Sequence, residues 1–332
     1  MSLYRYVARR LIEILITFFV IAVVVFILFR IMPGDPASMV ISPRMTPELK
    51  AILRARFGLD KPLYEQFFIY MGNMLKGDFG TSFYYNEDVF GIIQRRILPT
   101  VLLFTIGQLL AYALGVNLGR LIAWKRGGKL EYGNTVIGLF FYTMPIFWLG
   151  LLCIWVFSYY LNLFPVGGWK SPELWSSVPP PNSLMKILDI LYHLFLPLTV
   201  YTVWIYAGTM LIMKNSMLET LKEDYILAAR AKGLPEKRIR DHHAARNAML
   251  PVVTDLALGI VFSLDGGVLT ETTFSWPGLG RTMVEASLTY DYPLAQGAFI
   301  LLAIVLLVSV LIADILYAYL DPRIRYEGKG YH

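Results

Sequence analysis

Cysteine and charged residues are both scarce in this chain. Cys153 is the only cysteine, which excludes an intrachain disulfide and a cluster of thiolate metal ligands. Charged residues make up 16% of the sequence, whereas an ordinary soluble domain has about a quarter. Hydrophobic residues make up 56%. Because this apolar excess is larger than a buried core takes up, a lipid bilayer is the expected second environment.

The chain also lacks the motifs of nucleotide and hydrolytic chemistry. Gly128-Lys129 is followed by Leu130, so no Gly-x-x-x-x-Gly-Lys-Ser/Thr phosphate loop is present. Gly-x-Ser-x-Gly and His-Glu-x-x-His are absent as well. The adjacent His242 and His243 point about 100° apart on a helix and cannot share one metal ion. The net charge of +6 comes without a basic patch interleaved with aromatics. We therefore expect no catalytic residue, no metal site and no nucleic-acid partner.

Six long apolar segments alternate with polar loops. Each reaches the roughly 20 residues that a helix needs to cross about 30 Å of hydrocarbon. They cover residues 10–31, 97–122, 135–161, 192–213, 250–272 and 294–320. No small-residue cleavage site follows the first segment, which predicts a retained helix and not a signal peptide. The predicted fold class is an all-α integral membrane protein with six transmembrane helices.

Composition divides the chain into three parts. They are 1–31 with the N-terminus and first span, 32–96 as an extracytoplasmic segment, and 97–332 as the core with five further spans. Lysine and arginine are concentrated at both termini, after the second span and in 214–249, which places these regions in the cytoplasm. Helical patterns over 47–57 and 64–75 predict that the outer segment is folded.

The cytoplasmic segment 214–249 is too long for a simple connector. It contains a helical pattern over 224–233, with acidic residues at its start and basic residues at its end, as the helix dipole favours. Gly233 is the expected C-cap. A second helical run extends from 234 to 246. The small side chains expected to form a face that another surface can approach closely are Ala228, Ala229 and Ala231.

This segment resembles the cytoplasmic loop of importer permeases of the ATP-binding cassette superfamily. The signature of that loop is Glu-Ala-Ala, three residues, Gly, nine residues and Ile-x-Leu-Pro. The match to its first half is Ala228-Ala229-Arg230-Ala231-Lys232-Gly233. Leu227 replaces the Glu, and His243 and Ala245-Arg246 stand where Ile and Leu-Pro would be. The loop of this chain is therefore similar to the signature mainly in its first half.

Further motifs extend the resemblance over nearly the whole chain and favour the dipeptide and oligopeptide permease branch. In order they are Pro33-Gly-Asp-Pro36, Phe57-Gly-Leu-Asp-Lys-Pro62, Gly77-Asp-Phe-Gly-Thr-Ser82, Phe274-Ser-Trp-Pro-Gly-Leu-Gly280, Asp291-Tyr-Pro293 and Leu320-Asp-Pro-Arg-Ile-Arg325. The long outer segment is similar to that of the first of the two permease subunits in that branch.

The resemblance implies an importer of several chains in a prokaryotic cytoplasmic (inner) membrane, with both termini of this chain cytoplasmic. A paralogous second permease subunit would enclose the path with this one, within membrane lipid. Two ATP-binding cassette ATPase subunits would hold ATP and Mg²⁺, so this chain is expected to be no enzyme and to carry no cofactor. An extracytoplasmic solute-binding protein would deliver the cargo, with peptides first, oligosaccharides second and nickel third in expectation. The implied ATPase-coupling residues are Tyr225, Ala228, Ala229, Arg230, Lys232 and Gly233.

Four carboxylates lie in or near the spans, where ionisable residues are functional candidates by default. They are Glu13, Asp255, Asp265 and Asp314. Glu13 and Asp314 are expected to be structural. Asp265 is a candidate for the translocation path, together with Glu271 near its outer mouth. Met144-Pro145 is expected to be a packing or bending point of the third span.

Two other functional classes remain as alternatives. An ion-gradient-driven secondary transporter would use intramembrane carboxylates as proton or cation sites. It predicts internal repeats, which the sequence does not show, and it leaves the segment 214–249 unexplained. A membrane enzyme would need a catalytic motif.

Overall fold

The computed structural model describes residues 3–31, 61–178, 180–263 and 267–320. These residues form helices and the loops between them, with an isolated antiparallel bridge between Thr81 and Asp88. In chain order the helices are α1 (Leu3–Ile31), α2 (Leu63–Leu75), α3 (Val89–Trp124), α4 (Lys129–Thr143), α5 (Ile146–Cys153), α6 (Pro172–Trp175), α7 (Ser183–Thr220), α8 (Asp224–Ala231), α9 (Glu236–Arg238), α10 (Ala245–Ser263), α11 (Val268–Thr273), α12 (Leu279–Leu288) and α13 (Tyr292–Leu320). The π-helical turns Ile154–Tyr160 and Ile239–Ala244 follow α5 and α9.

Within these ranges, five helices are long and apolar enough to cross a membrane. They are Val7–Ile31, Val89–Trp124, Ser183–Thr220, Glu236–Ser263 and Tyr292–Ile315. A bent pair of helices, Lys129–Thr143 with Ile146–Tyr160, makes a sixth crossing if the pair is one span. The prediction of an all-α integral membrane protein is confirmed.

The third predicted span, 135–161, is a bent pair of helices. Its two halves meet at an angle of 102°. Met144 is extended, with φ −76° and ψ 134°, because a residue that precedes proline is disfavoured in the helical region. The indole of Trp204 donates to the Met144 carbonyl at 3.2 Å, so this carbonyl keeps a hydrogen bond at the break. Met144-Pro145 is thus the expected bending point.

The bounds of two other spans also differ from prediction. The fourth, predicted over 192–213, is the 38-residue helix α7, which runs through Pro197 without a break. The fifth, predicted over 250–272, begins far earlier, at Glu236, and ends at Ser263. Hydropathy finds only the apolar part of a helix, so polar ends such as these escape it. The amphipathic stretch 64–75 is confirmed as α2, whereas the predicted helix at 47–57 lies outside the described residues.

The chain divides into two compact units, which are described separately. The first comprises Met1–Thr100 and Pro277–Leu311, and the second comprises Val101–Trp276 and Ile312–His332. The three-part division of the sequence stays a prediction. In the first unit, buried side chains of α1, α2, α12 and α13 form one apolar core. Phe29 lies in this core, with its ring 6.1 Å from that of Tyr292 and 5.7 Å from that of Phe299.

A buried carboxylate joins two of the sequence motifs within the first unit. Asp291 is fully buried and accepts hydrogen bonds from the Ser82 hydroxyl and from the backbone N–H groups of Phe83 and Tyr84, the last two at 3.1 and 3.2 Å. The stretch Gly77–Ser82 is thereby fastened to Asp291-Tyr-Pro293. At the N-terminal end of the first unit, the carboxylate of Glu13 pairs with Arg9 and Arg10, as expected for a structural acid.

In the second unit, α3 packs closely on α7. A Cβ added at Gly115 would lie 2.7 Å from the Tyr206 carbonyl oxygen, and one added at Gly119 would lie 2.6 Å from that of Met210. Only glycine allows the two backbones to approach so closely, a common device between membrane helices. The end of α3 near Trp124 and the end of α7 near Thr220 carry the candidate site.

Candidate functional site

The short helix α8 is bounded as its sequence predicts. It begins at Asp224, whose carboxylate suits the positive end of the helix dipole. At its end Gly233 takes a φ of +71°, its N–H donates to the Arg230 carbonyl at 2.9 Å, and the Leu234 N–H reaches the Ala229 carbonyl at 3.3 Å. This pair of hydrogen bonds is a Schellman motif, which needs a left-handed residue after the helix. Gly233 therefore terminates α8 and turns the chain toward α9.

One face of α8 is packed against the ends of three membrane helices. Ile226 is 1% exposed and Ala229 is 5% exposed. The buried residues that share their apolar cluster come from α3, α7, the π turn and α10: Tyr112, Ala123, Met213, Met217, Ile239, Ala244, Ala245, Ala248 and Val252. We name this cluster the mount. Because Ile226 and Ala229 are three residues apart, both side chains lie on the same side of the helix.

The opposite face of α8 is exposed. Leu227 is 67% exposed, and Tyr225 is exposed as well. The other exposed residues of the segment are Ala228, Arg230, Ala231, Lys232 and Gly233. The expectation that the three alanines share one open face is therefore wrong: Ala228 and Ala231 face outward, whereas Ala229 points into the mount. Of the six predicted coupling residues, five are accessible to another chain and Ala229 is not.

Polar contacts hold the exposed face of α8 against three neighbouring helices. The amide of Asn247, on α10, donates to the Tyr225 hydroxyl at 2.8 Å. The Arg230 guanidinium lies 3.6 Å from the Glu236 carboxylate and 5.9 Å from the centre of the Trp124 ring. These contacts join α8 to α3, α9 and α10 around the mount.

Ion pairs tie the same region to neighbouring helices. Arg240 forms two hydrogen bonds to the Asp241 carboxylate, at 2.7 and 2.8 Å, and Arg120 of α3 lies 3.7 Å from it. Lys214 of α7 lies 2.6 Å from the carboxylate of Glu131 on α4. Sequence reasoning missed the Arg120–Asp241 and Lys214–Glu131 pairs and the role of Ile226, because residues so distant in sequence carry no local signal of their contact.

Of the two candidates for the translocation path, Glu271 lies in the described part of the chain and Asp265 does not. Glu271, on α11, is fully buried within the second unit, so it does not lie at an open mouth in this conformation. Asp265 falls among residues 264–266, outside the described part of the chain. The place of both on the path stays a prediction.

Comparison with known proteins places the whole chain in one family. Residues 115–326 match the family described as "Binding-protein-dependent transport system inner membrane component". Residues 3–105 match the N-terminal family described as "Binding-prot-dependent transport system membrane comp, N-term". The two matches together take in α8, residues 32–96 and every residue of the mount except Tyr112.

Similar proteins are found across distant bacteria. The chain is 37% identical to the di/tripeptide transport system permease protein DppB of Pseudomonas aeruginosa (strain UCBPP-PA14), over 97% of this chain and 99% of that protein. It is 37% identical to the dipeptide transport system permease protein DppB of Escherichia coli (strain K12) and 35% identical to the oligopeptide transport system permease protein AppB of Bacillus subtilis (strain 168), each over 97% of this chain and 99% of that protein. The chain is a multi-pass membrane protein that belongs to the family of binding-protein-dependent transport system inner membrane components.

Proposed function

We propose that this chain is a permease subunit of an ATP-driven importer of peptides. The names of the three relatives above specify dipeptides, di/tripeptides and oligopeptides, which supports peptides over oligosaccharides or nickel as cargo. Membership of a binding-protein-dependent family favours this reading over an ion-gradient-driven transporter. In the proposed assembly an extracytoplasmic solute-binding protein delivers the peptide, and a paralogous permease subunit completes the path.

The observation that carries the proposal is the two-faced packing of α8. Its inner face is buried in the mount, among residues from α3, α7 and α10, while its outer face is exposed. A partner that displaces the outer face must displace the ends of these membrane helices as well, since packed interiors transmit strain. This is what coupling between ATP hydrolysis and a membrane path requires.

The partner on that face is proposed to be an ATPase subunit, which supplies ATP and Mg²⁺ chemistry that this chain does not. Tyr225, Ala228, Arg230, Lys232 and Gly233 would contact it directly. Ala229 would act through the mount. In this arrangement α8 and both chain termini lie in the cytoplasm, and the chain itself is no enzyme.

The test is purification of this chain from its native membrane in mild detergent, followed by reconstitution into vesicles. The expected result is co-purification of a second permease and ATPase subunits, with ATP-dependent uptake of labelled tri-alanine when the solute-binding protein is added. Recovery of the chain alone, with uptake driven by an ion gradient and no ATP, would overturn the proposal.

A matched pair of variants tests the docking face. Ala228→Trp adds a large ring to the exposed face of α8, and Lys129→Trp adds the same ring to the exposed first position of α4. We expect Ala228→Trp to abolish ATPase co-purification and uptake while Lys129→Trp retains both. Equal behaviour of the two variants would remove α8 as the docking site.

A further inference from the structure

Polar side chains line the contact between α3 and α10 within the second unit. On α3 they recur at intervals of three and four residues, and on α10 the facing positions recur every four, so each set occupies one side of its helix. We name the set the polar seam; its polar members are Thr105, Gln108 and Tyr112 on α3 and Asp255 and Ser263 on α10, and Gly259 lies between the last two.

Each level of the polar seam brings the two helices together. The hydroxyls of Thr105 and Ser263 are 2.9 Å apart, and the Tyr112 hydroxyl donates to the Asp255 carboxylate. Between them, a Cβ at Gly259 would overlap the Gln108 amide, so glycine there lets the amide lie against the backbone of α10. The seam thus extends over about two turns of both helices.

A third helix joins the seam at its middle. The Tyr201 hydroxyl of α7 donates to the Gln108 side-chain oxygen at 3.1 Å. Hydrogen bonds between membrane helices add to van der Waals packing where lipid gives no hydrophobic drive for association. These contacts at three successive levels of the seam fix both the distance between α3 and α10 and their register. Apolar side chains alone would fix the register less strictly, because their contacts are not directional.

The seam is continuous with the mount. Tyr112 belongs to the same buried cluster as Ile226 and Ala229 of α8. At its other side, α10 is one continuous helix with the π turn that follows α8 and α9. A displacement of α8 therefore meets the ends of α3 and α10, at Trp124 and Asn247, and is passed on toward Tyr112 through the buried cluster that they share.

We propose that the polar seam is a joint that makes α3 and α10 move as one body when the ATPase displaces α8. Tyr112 and Asp255 are its positioning residues: they bind no cargo, and they keep α3 and α10 in register while α8 is displaced. This inference rests on the proposed importer function. It assigns a role to the intramembrane carboxylate Asp255 and to a partner, Tyr112, that the sequence does not reveal.

The first test compares Tyr112→Phe, Asp255→Asn and the double variant in the reconstituted assembly, with Tyr132→Phe as the matched control, because Tyr132 is 76% exposed. We expect ATPase activity to persist. The number of tri-alanine molecules imported per ATP hydrolysed should fall about fivefold or more, because a loss of the coupling free energy between two sites has an effect of that size. The double variant should be no worse than either single one. Four outcomes would each overturn the proposal: parallel loss of ATPase activity and import, additive effects of the two substitutions, a changed preference between tri-alanine and acidic tripeptides, or no effect.

The second test locks the seam covalently. Thr105→Cys and Ser263→Cys are combined in a Cys153→Ser background and oxidised. If α3 and α10 move as one body, the disulfide forms and import continues at the rate of the reduced protein. Failure of the pair to oxidise, or loss of import that a reductant restores, would overturn the proposal. If the wild-type assembly shows no ATP-driven import in the same vesicles, the importer function fails instead.

Discussion

Two buried or half-buried aspartates, one in each compact unit, hold the chain together in different ways. Asp291 in the first unit is fully buried and gathers the hydroxyl of Ser82 and two backbone N–H groups from the same short loop. Asp255 in the second unit is half-buried and accepts from a single tyrosine on another membrane helix. The first fastens a loop to a helix end, and the second joins two long helices.

The difference follows from the number of donors and from what they belong to. A carboxylate that accepts from several donors leaves all of them without this acceptor when it is lost, which is costly. A carboxylate that is paired with one hydroxyl fixes the position of one helix relative to the other, and its loss costs little free energy of unfolding. Asp291 should therefore determine whether the first unit folds, while Asp255 should determine how well the second unit transmits motion.

The largest effect is expected from Asp291→Asn. The amide NH₂ cannot accept, so at least one donor of the 82–84 loop loses its acceptor, at a cost of about 3 kcal/mol. The measurement is the thermal transition of the purified protein in detergent. Asp78→Asn is the control, because Asp78 makes an exposed contact with the Gly80 N–H. Similar transitions for the two variants would contradict the central role of Asp291.

A smaller effect is expected from Ile226→Ala in the mount. Removing a fully buried isoleucine side chain costs about 2 kcal/mol or more, from lost burial and the cavity left behind. Hydrogen exchange should rise over residues 221–238. Leu227→Ala, on the exposed face of the same helix, should leave exchange unchanged. If Leu227→Ala loosened α8 as much as Ile226→Ala, the assignment of inner and outer faces would be wrong.

Asp255→Asn should destabilise the protein less than Asp291→Asn does. The amide still accepts from the Tyr112 hydroxyl, but a bond to a neutral group is weaker, so we expect a loss of about 1 kcal/mol. In the same thermal measurement its shift should be well under half that of Asp291→Asn. A shift as large as that of Asp291→Asn would make Asp255 a folding residue and would remove the contrast.

An equally small effect, confined to the end of one helix, is expected at Gly233. Alanine in the left-handed conformation costs about 1 kcal/mol, so Gly233→Ala should fray the end of α8 and raise hydrogen exchange near residues 229–234. Gly133→Ala is the control: Gly133 lies within α4, and an added Cβ there meets nothing within 4 Å. This control should be neutral or slightly stabilising, since alanine favours a helix. Equal exchange in both variants would contradict the Schellman ending of α8.

Local patterns in the sequence predicted most of the helices and the position of α8. Apolar runs of about 20 residues mark a span whatever its partners, since the bilayer sets that length. The acidic start and the glycine end of α8 act within a few residues, so its predicted range of 224–233 lies close to the observed Asp224–Ala231. Met144-Pro145 showed where a span bends, but the 102° angle depends on packing that the pattern does not contain.

Contacts between distant parts of the chain could not be predicted. Asp255 was recognised as an intramembrane carboxylate, but its donor Tyr112 lies 143 positions away. Likewise, Ala229 was assigned to an open face because the alanines were grouped by size. Which of them is buried depends on the position of Ile226 against α3, α7 and α10, and this only the fold determines.

Coupling in the proposed importer depends on the docking of the exposed face of α8 on an ATPase subunit. Its most direct test places a photo-activated cross-linking phenylalanine at Leu227, which is 67% exposed, and as a control at Leu130, which is 55% exposed on α4. On irradiation of native membranes, position 227 should give a covalent adduct that contains the ATPase, and position 130 should not. Absence of that adduct at 227, or equal adducts from both positions, would contradict the claim.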